Sequence, residues 1–247
     1  MVTRLLAGIL LSLFVAIAHA ADGPAGVTRY RITTDLVKPE KMHEWRDLQA
    51  NKVVPALRKA GVISRRVYHT VMGDGTEFIS YTPFPDYGEL DAPDALERAL
   101  GKKKADKLKQ KLADCLLSTS SRLENSQNDF FFDPEDAPVL FSSNYRAASG
   151  RSGDYVAFLH EYMLPPIKRA VDSGFIKGFQ IMRTDQGGEV GLFILNMFYP
   201  DFDTLDQGAP AAHMMSREEM AEFFRAGTGL ITPLGQYIHA YEPDLSY

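Results

Sequence analysis

Five histidines follow Ala20: His43, His69, His160, His213 and His239. A zinc site on one helix needs two of them four apart, and no such pair occurs. His160-Glu161 opens like a metalloprotease motif, but Leu164 stands where the second ligand belongs. No G-x-S-x-G nucleophile turn is present. Gly227-Thr228-Gly229 follows a helix rather than opening one, the wrong order for a phosphate cradle. His160 is therefore the leading catalytic candidate. It falls mid-helix beside Phe158 and Tyr162 and can move a proton near neutral pH if it lines a cavity. The alternative is a helix histidine that meets Glu161 or water. His69 and His239 fall in predicted strands. Alternation puts each on the face opposite its apolar neighbours, which is either a polar pocket or solvent.

The elements that must position these groups occur twice. Val53-Val54-Pro55-Ala56-Leu57-Arg58-Lys59-Ala60 is answered by Met163-Leu164-Pro165-Pro166-Ile167-Lys168-Arg169-Ala170, 110 residues later. Phe84-Pro85-Asp86-Tyr87-Gly88-Glu89-Leu90-Asp91 is answered by Tyr199-Pro200-Asp201-Phe202-Asp203-Thr204-Leu205-Asp206, 115 residues later. Repetition of this kind decides architecture before any motif does. Each half reads β-α-β-β-α-β. The first has a strand over 27–33, a helix with Pro55 inside it, a hairpin of 62–71 and 77–82, helices over 93–100 and 103–117, and a strand over 122–131. The second has a strand over 139–146, a helix over 152–172, a hairpin of 175–183 and 190–197, a helix over 216–225 and a strand over 230–240. Proline inside a helix removes one backbone bond and crowds the preceding turn, so both long helices should kink or split. Ser216 with Glu219 three residues on has capping-box spacing. Asp86 and Asp201 each follow a proline at a strand-to-helix turn and read as helix caps rather than catalysts.

Composition narrows the classes. Arg4, the apolar run Leu5 to Ala18 and Ala18-His19-Ala20 form the three-part pattern of a signal peptide. That run, about 14 residues, falls short of the roughly 20 a spanning helix needs. The expected domains are a signal peptide (1–20), a first repeat (21–132), a linker (133–138) and a second repeat (139–247). The expected location is the periplasm or exterior of a bacterium after cleavage at Ala20-Ala21, with no stable membrane anchor. The lone Cys115 permits no internal disulfide. A formal charge of −5 with scattered lysines excludes an electrostatic case for nucleic acid. The run Lys102-Lys103-Lys104 reads as a solvated helix face.

Two tandem β-α-β-β-α-β units, with a Val-x-Pro helix leading to a glycine and a strand (Val53 to Val67), resemble the dimeric α/β-barrel superfamily of ferredoxin-like domains. Its members include antibiotic-biosynthesis-type monooxygenases, stress-responsive Dabb proteins and NIPSNAP proteins. The resemblance implies an α+β fold in which the two sheets form one intramolecular barrel. Some monooxygenase-like members use an asparagine on a strand, a tryptophan and a histidine. Asn144, Trp45 and His160 match those residue types, although Trp45 lies in the other repeat. Trp45 also reads as a core anchor, because Tyr155 holds the matching place 110 residues on. Three readings follow. The first is a small apolar molecule bound between sheet and helices among Trp45, His69, Tyr155 and His239. The second is a cofactor-independent or haem-handling oxygenase using His160 or Asn144. The third is a filled structural domain. The residues predict no metal and no cofactor of their own; haem enters through the resemblance. Monomer and homodimer both fit.

Overall fold

The computed structural model describes residues 27–73, 76–132 and 137–247. The expected signal peptide with its cleavage point, the turn residues Asp74 and Gly75, and 133–136 of the expected linker lie outside the described residues. Eight strands form one closed, wholly antiparallel barrel. In chain order they are β1 (Val27–Val37), β2 (Arg66–Met72), β3 (Glu77–Pro83), β4 (Leu116–Phe132), β5 (Val139–Ala147), β6 (Gly178–Gln186), β7 (Leu192–Tyr199) and β8 (Ile231–Tyr241). Around the barrel they run β1-β3-β2-β8-β5-β7-β6-β4. Each half alone is a four-stranded ferredoxin-like sheet, β4-β1-β3-β2 and β8-β5-β7-β6. The seams between halves are β2 with β8 and β4 with β6. Closure removes every sheet edge, which is why one chain can carry both halves without an exposed pairing template.

The two proline-bearing helices follow the same rule. Helix α1 (Met42–Leu48) passes through a π-turn, Gln49–Val53, into α2 (Val54–Lys59), where Pro55 sits in the first turn. Helix α5 (Ser152–Phe158) passes through the π-turn Leu159–Met163 into α6 (Leu164–Asp172), where Pro165 takes that place. Widening the turn before each proline removes the need for the N–H it lacks. Where a kink or split was expected, both halves have a π-turn, and neither helix breaks. Gly61, at φ +82, ends the first of these helices.

The remaining helices are α3 (Ala95–Leu100), α4 (Lys102–Asp114), α7 (Phe202–Asp206), α8 (Pro210–Met214) and α9 (Arg217–Gly227). The capping box at Ser216 and Glu219 is formed, and Asp86 and Asp201 cap as expected. Several boundaries differ from the sequence reading: β1 runs on to Val37, β6 begins at Gly178 and β7 at Leu192. Residues 62–65 are not strand, and β4 begins at Leu116, earlier than expected. Cys115 is thereby the buried residue between α4 and β4 rather than a helix-interior one.

The barrel interior takes one face of every strand. Ile32, Met182 and Ile194 pack with Tyr81 in one part of it, and Tyr68, Leu140 and Phe198 in another. Polar groups cross this core as a connected set. Ser142 Oγ donates to Asn196 Oδ1 at 2.7 Å, Asn196 Nδ2 donates to Gln180 Oε1 at 3.3 Å, and Arg122 pairs with the fully buried Glu124. The outer faces lie under the helices.

Candidate functional site

The first half's outer sheet face is the unusual one. Along β1 it presents Arg29, Arg31, Thr33 and Asp35, and along β3 Ser80 and Thr82, with Phe84 just beyond the strand. An ordinary sheet face under a helix is apolar. Here the α1–α2 helix covers it only near Val37, where Trp45 packs on Phe78 with ring centroids 4.4 Å apart, beside Val67 and Cys115. Beyond the π-turn, helix and sheet stand apart. A cleft of about 1270 Å³ opens between them, and it continues across β4 to Ile181, Phe193, Val156 and Leu159 of the second half.

Arg65 lies on its wall. It is 6% exposed, and its Nη1 has no hydrogen-bond partner. Burial pulls its pKa down to about 10, against the opposing charges of Asp35 and Tyr247. No carboxylate is ion-paired to it among the described residues. Its backbone is fixed by the end of the second half: Arg65 N donates to Tyr247 O at 2.9 Å, and Tyr247 N donates back at 2.8 Å. Gln49, on the π-turn, is also buried in the cleft wall with an unpartnered Oε1. A buried polar atom left unpaired costs roughly 1–3 kcal/mol, and a charged one more. Arg31 stacks over the Phe84 ring at 5.1 Å and, among the described residues, forms no ion pair. Burial raises the Asp35 carboxyl above its usual range, while a 2.6 Å hydrogen bond from Thr119 and the Arg65 charge restrain the rise.

The cleft mouth is clasped. Tyr87 O–H donates to Asp185 at 2.7 Å, and Arg29 lies 3.7 Å from the same carboxylate while its guanidinium covers the Tyr87 ring at 4.8 Å. Tyr87 follows β3 and Asp185 is in β6, so the contact passes over β1 and β4.

The expected site residues scatter instead of converging. His160 is exposed on the π-turn of the second helix. Asn144 lies inside the barrel, opposite Ile194 on β7. The wall of the barrel therefore separates them, and the anticipated Asn144–His160–Trp45 set does not form. Trp45 and Tyr155, each 1% exposed, are core anchors; Tyr155 meets Phe193 edge-on at 4.9 Å. His239 is buried at the β2–β8 seam, with Nδ1 3.0 Å from Thr70 Oγ1; burial and the nearby His69 lower its pKa to about 4. His69 faces outward against Glu242, which also takes a two-pronged contact from Arg46. Burial would raise the Glu242 pKa, but His69 and Arg46 together bring it below its usual value. Phe179 and Phe193, on β6 and β7, pack into the layer under the second half's helices.

Neither the layer under His160 nor the cleft offers haem an axial ligand. Tyr155, Phe158, Leu159 and Phe193 fill the layer beneath His160, whose side chain is on the solvent side. The cleft wall carries no histidine, cysteine or methionine to serve as axial ligand, and its tyrosine, Tyr87, gives its hydroxyl to Asp185. No group of three or more His, Cys, Asp or Glu side chains among the described residues could hold a metal ion. No helix among them is long and apolar enough to cross a membrane.

Sequence reading missed Arg31, Arg65, Asp35 and Gln49. The signal was in the repeat: 110 residues on, Arg31, Asp35 and Gln49 are answered by Phe141, Tyr145 and Leu159. Polar residues at positions that are apolar in the sister half mark a face that is not packed.

No protein-family model matches this chain, and no curated protein matches it by sequence. Solved structures do match in fold. A "putative monooxygenase" from Lactobacillus acidophilus NCFM is 9% identical with a TM-score of 0.53, over 90% of this chain and 95% of that one. A "putative monooxygenase" from Fusobacterium nucleatum is 12% identical with a TM-score of 0.56, over 88% and 93%. An "anthrone oxidase-like protein" is 10% identical with a TM-score of 0.53, over 90% and 92%. At such identities the likeness is one of fold. Its reach over nearly the whole of each chain, together with the eight-stranded closure, gives this protein the dimeric α/β-barrel fold, with both halves on one polypeptide.

Proposed function

We propose that the protein works through the cleft of its first half, and that the cleft receives an organic anion. One observation carries this: Arg65, buried and in no ion pair among the described residues, stands in the wall of an open cleft that Arg31 also lines. A buried guanidinium held in no ion pair is destabilising on its own, and an incoming carboxylate, phenolate or enolate would pair with it through charge-assisted hydrogen bonds. The apolar side chains around it, Val53 and Leu57 among them, suit the body of such a molecule. The expected apolar guest thus becomes an amphiphile. Titration calorimetry with benzoate and hexanoate tests the reading. Binding should weaken at least tenfold in Arg65→Met and in Arg31→Met. Equal affinity in both variants would remove the cleft from consideration.

An enzymatic reading has its own support. Proteins of this fold are described as monooxygenases and as anthrone oxidase-like. In this reading Asp35, a carboxyl of raised pKa in the same wall, would take a proton from an acidic O–H or C–H of the bound anion, with Arg65 stabilising the charge that forms. Oxygen uptake with hydroxyaromatic acids, lost in Asp35→Asn while binding persists, is the outcome that reading requires.

A further inference from the structure

The cleft does not end with the first half, and its two ends differ in chemistry. Its wall crosses β3, β1, β4, β6 and β7 in that order. Over β3 and β1 the wall is Ser80, Thr82, Arg31 and Asp35; over β6 and β7 it is Ile181 and Phe193, closed above by Val156 and Leu159 of the second half's helix. Ile181, Phe193 and Leu159 are buried and Val156 is half-buried, so the cleft ends on the apolar edge of the second half's packed layer, facing a charged end. From β1 to β7 there are three inter-strand steps of about 4.8 Å, roughly 14 Å in all.

Resting on the reading of the cleft as an anion site, we infer that the ligand is an elongated amphiphile. Its acidic head sits at Arg31 and Arg65, and an unbranched or narrow apolar tail passes over β4 to the apolar end at Val156, Ile181 and Phe193. A compact anion would leave that apolar end empty. A long apolar molecule without charge would leave Arg65 without an ion pair. The contact of Tyr87 with Asp185 and Arg29 lies across this path and would hold the middle of such a ligand in place. With carbon–carbon bonds of about 1.5 Å, a staggered chain advances roughly 1.3 Å per carbon, so about 11 carbons span the distance.

Straight-chain monocarboxylates of 4, 8, 12 and 16 carbons, titrated by calorimetry below their micelle concentrations, test this. A buried methylene contributes about 0.8 kcal/mol, so affinity should rise by up to about fourfold per carbon and level off near 12 carbons. Val156→Trp, which narrows the apolar end from a half-buried position, should leave butyrate unchanged and abolish the gain beyond 8 carbons. Affinity independent of chain length, or a gain that survives Val156→Trp, would overturn the tail assignment while leaving the anion site standing. If no carboxylate of any length bound, or if Arg65→Met bound each of them as well as the parent protein, the anion reading itself would fail.

Discussion

The two halves share one fold and treat the space between sheet and helices in opposite ways. In register across β1 and β3, the first half places Arg31 opposite Thr82, Thr33 opposite Ser80 and Asp35 opposite Phe78. The second places Phe141 opposite Met197, Ser143 opposite Leu195 and Tyr145 opposite Phe193. The helices repeat the contrast at the π-turn, with Gln49 in one half and Leu159 in the other. The second half therefore closes into a dry layer built on Tyr155, Phe158, Ile167 and Phe179. The first half stays open, with unpaired buried atoms at Arg65 and Gln49. A duplicated scaffold can divide labour in this way: one copy supplies the packing energy, and the other keeps a polar gap whose cost only a ligand can offset.

Exchanging the halves' chemistry is the most direct way to break that comparison. Leu159→Gln carries the open half's residue into the filled layer. It removes packing and buries an amide without a partner, and should cost about 3–5 kcal/mol in urea unfolding. A loss below 1 kcal/mol would mean that the second layer is not the tight core described.

Next in size is the seam. His239 has a folded pKa of about 4, below the ordinary 6.5, so the unfolded chain takes up its proton first as pH falls. Its contribution is complete above pH 6.5 and is lost between 6.5 and about 4, roughly 3 kcal/mol over that window. Urea unfolding at pH 7 and pH 4 should show a loss of that size in the parent protein beyond the loss in His239→Gln. Parallel losses in the two proteins would place the acid sensitivity elsewhere.

Within the open half the sign reverses. Arg65→Met removes a buried charge with no ion-pair partner and should raise stability by about 1–3 kcal/mol without ligand, while weakening anion binding. A destabilised variant would show that Arg65 is satisfied within the fold. The smallest expected effect is that of Gln49→Leu, which copies the filled half. It should add about 1 kcal/mol at most, since one orphaned amide is replaced and the cleft remains largely open around it. A gain in melting temperature with reduced carboxylate affinity is the outcome that fits.

Much of this protein was determined by its sequence alone. The tandem β-α-β-β-α-β order follows from periodicity and turn chemistry, and the irregular turn inside both long helices follows from Pro55 and Pro165. The capping box at Ser216 and the core roles of Trp45 and Tyr155 are likewise local or repeat-borne signals, legible because each depends on residues near in sequence or matched between halves. The site was not legible in the same way. Arg65 differs from other arginines only because burial strips it of water while the second half's last residues fix its backbone, and those contacts span most of the chain. Nor could sequence say that Asn144 faces the barrel interior and His160 solvent. Strand alternation supplies two faces without naming them, and it is closure of the eight strands that decides which one is inside.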